Sequence, residues 1–143
     1  MVEVVAAVNE WWKKAAGMTD LIAWLRAQIG EQLTKARAAE EVLDGNWYSP
    51  DLSEWALRHL GRAEGDHIAA NPPCDVIARC EVELLLLDEH AAAADPYSPT
   101  GFVCKTCNDG GLPVEPACSP CRTVRLLAYG YRHRPGWREE WRP

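Results

Sequence analysis

The chain has 143 residues, which suits one domain built around one core. Its 48% hydrophobic and 25% charged content is that of a folded globular protein rather than a disordered one. No apolar run approaches the roughly 20 residues of a membrane-spanning helix, the longest being Leu84 to Leu87.

The net charge of −6 is unevenly spread. Residues 122–143 carry six arginines and two glutamates, a balance of +4, and the rest of the chain carries −10. That split sets aside broad nucleic-acid binding by the whole chain and leaves the basic tail as its only candidate. The stretch from Met1 to Val8 lacks the basic residues of a secretory signal. The expected location is therefore the cytoplasm, where thiols stay reduced and paired cysteines favour metal over disulfides.

In chain order, Val4, Val8, Trp11, Trp12 and Ala15 form a one-faced helical stripe, and Gly17 is expected to end that helix. Thr19 and Asp20 open a second helix as cap and first-turn acid. Its stripe is Leu21, Leu25, Ile29, Leu33, Ala36 and Leu43, with an end near Asp44. Asp44-Gly45-Asn46 reads as a turn. Ser49-Pro50 predicts a short helix over 50–60, stopped by Gly61. Asn71-Pro72 repeats that start signal ahead of a helix carrying Val76, Ile77, Cys80, Leu84 and Leu87 to about His90. Residues 91–101 read as a linker, 102–121 as a metal-binding segment, and Arg122 to Ala128 as one or two helical turns.

The strongest chemical signal is Cys104-x2-Cys107-x10-Cys118-x2-Cys121. Each CxxC loop bends tightly enough for both sulfurs to reach one ion, and the ten intervening residues bring the loops together. The expectation is one structural Zn²⁺ held by Cys104, Cys107, Cys118 and Cys121 in a closed tetrahedron, with no position left for water. Lys105, Arg122 and Arg125 lie close in sequence and would offset the anionic shell. Cys74 and Cys80, six residues apart on one helix, do not share a face and read as small buried residues.

Other constellations read as structural. The acids at Glu40, Glu41, Asp44, Glu81, Glu83, Asp88 and Glu89 fit solvated faces better than a Mg²⁺ site. His59, His67, His90 and His133 make no ligand pair and read as packing or capping residues. There is no nucleotide-binding glycine loop, no G-x-S-x-G and no paired nucleophile and base. The tail interleaves arginines with aromatics from Tyr129 to Pro143. It reads first as a strap over the body with Trp137 and Trp141 one helical turn apart, then as a partner-binding element using Trp137, Arg138, Trp141 and Arg142.

Three segments resemble a family of small uncharacterised proteins from actinobacteria and their phages. They are Met18-Thr-Asp-Leu-Ile-Ala-Trp24-Leu-Arg-Ala-Gln28, then His67-Ile-Ala-Ala-Asn-Pro72 through to Leu87-Asp-Glu-His90, and finally Cys121 to Ala128 with His133-x-Pro-Gly-Trp-Arg-Glu-Glu-Trp-Arg-Pro143. The last is the most specific. The resemblance implies a bacterial or phage intracellular protein and carries over no catalytic residue. Family members begin near Met18, so residues 1–17 stand as an extension. They carry strand-like segments over 45–66, where this chain reads as a short helix.

The expected fold is mostly α: an N-terminal helical extension (1–17), a helical body (18–95), and a C-terminal four-cysteine zinc knuckle with its Arg/Trp tail (96–143). The expected function is non-enzymatic. It is a zinc-stabilised protein-interaction module, with a phage-encoded factor acting on a host component as one form of that role and a nucleic-acid-binding regulator as the alternative.

Overall fold

The computed structural model describes residues 2–43, 54, 58, 59, 61–98, 100–108 and 118–143. Its elements are α1 (Val2–Leu43), α2 (Arg62–Ala69), α3 (Pro73–Glu89), β1 (Ala92–Ala94), β2 (Phe102–Cys104), α4 (Arg122–Tyr129) and a 3₁₀ turn (Glu139–Trp141). The chain divides into two compact units, Ile29–Val82 and Met1–Gln28 with Glu83–Pro143.

Helix α1 is continuous where two helices were expected, because Gly17 does not stop it. A glycine ends a helix only by leaving helical angles. Kept inside one, it costs about 1 kcal/mol, which good helix formers such as Lys13, Lys14, Ala15 and Met18 on either side offset. The expected stripe is the buried face: Leu21, Leu25, Ile29, Leu33 and Ala36 are all in the core.

In the Ile29–Val82 unit, α2 was not expected from the sequence. Asn71 closes it, with its side-chain amide donating to the His67 carbonyl at 2.8 Å. Pro72 then accepts from Asp75 and Val76 to open α3, as Asn71-Pro72 foretold. Cys80 is buried on α3 and Cys74 is exposed, a correction to the reading of both as core residues. Arg37 pairs with Glu81 at 3.0 Å across this unit. The helix expected over 50–60 lies almost wholly outside the described residues, where Glu54 and Arg58 form an i,i+4 ion pair.

In the other unit, Leu21 and Leu25 of α1 are buried, as are Leu87 of α3 and Val124 and Ala128 of α4. Arg26 pairs with Asp88 at 2.7 Å. The expected linker after α3 instead contains β1, which pairs antiparallel with β2 in the register Ala92↔Cys104, Ala93↔Val103, Ala94↔Phe102. Three alanines carry no strand signal of their own. Their pairing comes from the partner strand and from the tight loop between, where Asp95 bonds the Gly101 carbonyl at 3.0 Å and Gly101 takes φ 75°.

Candidate metal centre

The hairpin register builds the site. Cys104 sits opposite Ala92, and the Lys105 amide donates to the Ala91 carbonyl at 3.0 Å. His90, the residue after α3, is thereby held against the start of the Cys104–Cys107 turn. That turn closes with the Asn108 amide on the Cys104 carbonyl at 3.0 Å. Thr106 donates its hydroxyl to the Glu89 carbonyl, tying the turn to the end of α3. Cys121 arrives from the other side as the residue capping α4.

His90, Cys104, Cys107 and Cys121 form a cluster whose ligand atoms all lie within 4.8 Å of one another. His90 Nδ1 is 3.4 Å from Cys104 Sγ, 3.5 Å from Cys107 Sγ and 3.6 Å from Cys121 Sγ. One ring nitrogen has one proton or one lone pair, so it cannot make three such bonds at once. A tetrahedral zinc with ordinary Zn–N and Zn–S bonds places nitrogen and sulfur about 3.6 Å apart. The four groups fit a metal ion at their centre.

The thiols carry the electrostatic mark of this crowding. Burial pushes the Cys107 thiol up, and its contacts with Cys104 and Cys121 push it further, to about 12. Burial also acts to raise Cys104. Hydrogen bonds from the Cys107 backbone, the His90 ring and the Thr106 backbone outweigh it and bring that thiol down to about 7. Three sulfurs this close repel as thiolates, and a divalent cation among them removes that repulsion.

Three of the four expected cysteines are in the cluster. Cys118 is not one of its four members. Its backbone bridges Val103. Residues directly opposite in an antiparallel pair share a face and neighbours alternate, so Cys118 lies on the Val103 face and Cys104 on the other. Cys118 is buried, with its Sγ 3.7 Å from Ser98 Oγ. The fourth position falls to His90, which from the sequence alone reads as a packing or capping residue. No ligand spacing announced it, since it lies 14 residues before Cys104 and is brought in by strand pairing.

The tail folds as a strap. Trp24 Nε1 donates to the Pro135 carbonyl at 2.9 Å, and the Trp24 ring lies 5.2 Å from Trp141 and 5.8 Å from Trp137. Trp141 is 2% exposed and Trp137 is half-buried. Gly136 has φ 85°, and a Cβ there would meet Trp24 Nε1 at 2.9 Å, so only glycine lets the chain pass this closely. Arg138 pairs with Asp20 at 3.3 Å, Arg142 with Glu139 at 3.0 Å. The two tryptophans sit on an extended turn and a 3₁₀ segment rather than on one α-helix.

The chain belongs to a family of unknown function, DUF6221, which it matches over residues 18–143. The match takes in the four clustered residues and the whole strap, and it begins at Met18, where the sequence resemblance begins. No curated protein matches the chain, and no solved structure does. Among the described residues, no helix is long and apolar enough to cross a membrane.

Proposed function

We propose that the chain is a non-enzymatic, zinc-stabilised helical protein that works by binding another protein in the cytoplasm. One structural Zn²⁺ is held by His90, Cys104, Cys107 and Cys121, with Cys118 beside the site rather than in it. The observation that carries this reading is the trio of near-equal distances from one imidazole nitrogen to three sulfurs. A set of three thiolates and one imidazole in a tetrahedral arrangement favours zinc over the harder divalent ions. Four protein ligands leave no open position for a water or substrate, which supports a structural role over a catalytic one.

A protein partner is favoured over nucleic acid because two of the tail's arginines are paired with acids. Arg138 and Arg142 pair with Asp20, Glu139 and Glu140, and the rest of the chain is acidic. The test has two parts. Elemental analysis of purified protein should return one zinc per chain, and its absence together with disulfides by mass spectrometry would refute the metal reading. Co-purification of one host protein, retained in heparin and high salt, should follow from native cells. Salt-sensitive retention on DNA would instead favour the nucleic-acid reading.

A further inference from the structure

We propose that zinc binding and docking of the C-terminal strap are coupled, so that the metal sets whether the strap covers Trp24. The inference rests on the zinc reading above. Its basis is the chain path. Cys121, a ligand, is also the residue that caps α4. Helix α4 has only eight residues and leads directly into the strap. At the far end of α4, the Tyr131 hydroxyl donates to Glu83 on α3. Arg125 on α4 reaches forward and donates to the Arg142 carbonyl, fixing the strap's last turn to the helix. His90, another ligand, directly follows that same α3. One metal ion therefore joins α3 to α4 at one end, and the strap hangs from the other.

On α1 the strap is held by Trp24 and, through Arg138, by Asp20. Trp24 bonds Pro135, contacts Trp137 and Trp141, and admits only glycine at 136. The placement of α4 decides whether those rings reach it. With the ion absent, Cys121 loses its bond to the ion, and α4 is left with the burial of Val124 and Ala128 and the Tyr131–Glu83 contact. Nearby, the Ser119 amide on the Phe102 carbonyl at 3.1 Å and the Val103–Cys118 bridge still hold the chain before Cys121. Release is thus directed at α4 and the strap, while the long helices stay formed. Coupling of this kind is reciprocal: whatever factor zinc adds to strap docking, the docked strap adds to zinc affinity.

The test uses the full chain and zinc itself as probe. Competition against a chromophoric chelator measures zinc affinity in the wild type, Gly136→Ala and Trp141→Ala. All four ligands are intact in both variants, and each should bind zinc about tenfold more weakly, a typical coupling. In the wild type, removing zinc should speed trypsin cleavage at Arg132 and Arg138 at least tenfold, while far-ultraviolet circular dichroism keeps its helical signal. If Trp141→Ala fails to fold, Gly136→Ala and the wild-type digestion still decide the matter. Unchanged zinc affinity in the variants would overturn the coupling, as would metal-independent cleavage. Loss of the helical signal together with the strap would overturn a strap-directed device in favour of general unfolding. A wild-type chain that binds no zinc would fail the metal reading instead.

Discussion

In the Ile29–Val82 unit, Ile29, Leu33 and Ala36 bury an aliphatic stripe, Cys80 is buried on α3, and Arg37 meets Glu81 at the surface. The other unit has a similar aliphatic seam at Leu21, Leu25 and Leu87, and adds a four-residue ligand cluster and a tryptophan-centred strap. Its two strands have three residues each, too short to stand alone. Helices bury enough aliphatic surface to be held by periodic packing. A short hairpin and an eight-residue helix do not, so this corner relies on the four-residue ligand cluster and large rings.

The largest expected effect sharpens that contrast. Cys107→Ser should lose zinc and destabilise the C-terminal third, freeing α4 and the strap while the long helices stay formed, since structural zinc supplies on the order of 10–16 kcal/mol of apparent binding energy. His90→Ala should do the same, whereas Cys118→Ser should keep one zinc per chain. Elemental analysis and thermal melts of the three variants check this, and loss of zinc from Cys118→Ser with retention in His90→Ala would restore the four-cysteine set.

Trp141→Ala should cost about 3–5 kcal/mol, the range for deleting a buried aromatic ring, read as a lower urea midpoint. An unchanged midpoint would make the strap an exposed binding element after all. In the helical unit, Ile29→Ala should cost about 2–5 kcal/mol with zinc content unaffected. Zinc loss there would show that the two regions depend on each other more than their different chemistries imply. The smallest effect belongs to the ion pairs. Arg37→Ala and Arg26→Ala should each change stability by less than about 1 kcal/mol, because both partners are more than 40% exposed. A chevron or urea series resolves a difference of that size from the larger ones.

Some of this was readable along the chain. The stripe from Leu21 to Ala36 is local periodicity, and the structure buries it as read. Cys104, Cys107 and Cys121 were readable because a CxxC turn and a capping cysteine are local ligand geometry. Gly17 misled because a glycine signals a permitted break, not a required one. The alanines of β1 were missed because a strand that short takes its conformation from its partner. Arg62–Ala69 was missed because its eight residues show no strong stripe, with only Gly65 buried.

The sequence by itself determined the helical character of the chain, the presence of a cysteine-rich segment with ligand spacing and the presence of an aromatic, basic tail. These follow from residue type and spacing within a turn or two. Tertiary structure alone decided which four groups meet. Strand register sets the face on which each side chain stands: one bridge sets Cys118 opposite Val103, and the pairing of Ala92 with Cys104 brings His90 in. It also decided that Trp24 receives Trp137 and Trp141. Contacts between residues more than 110 positions apart depend on how helices are oriented in space, and no local pattern in the chain encodes that.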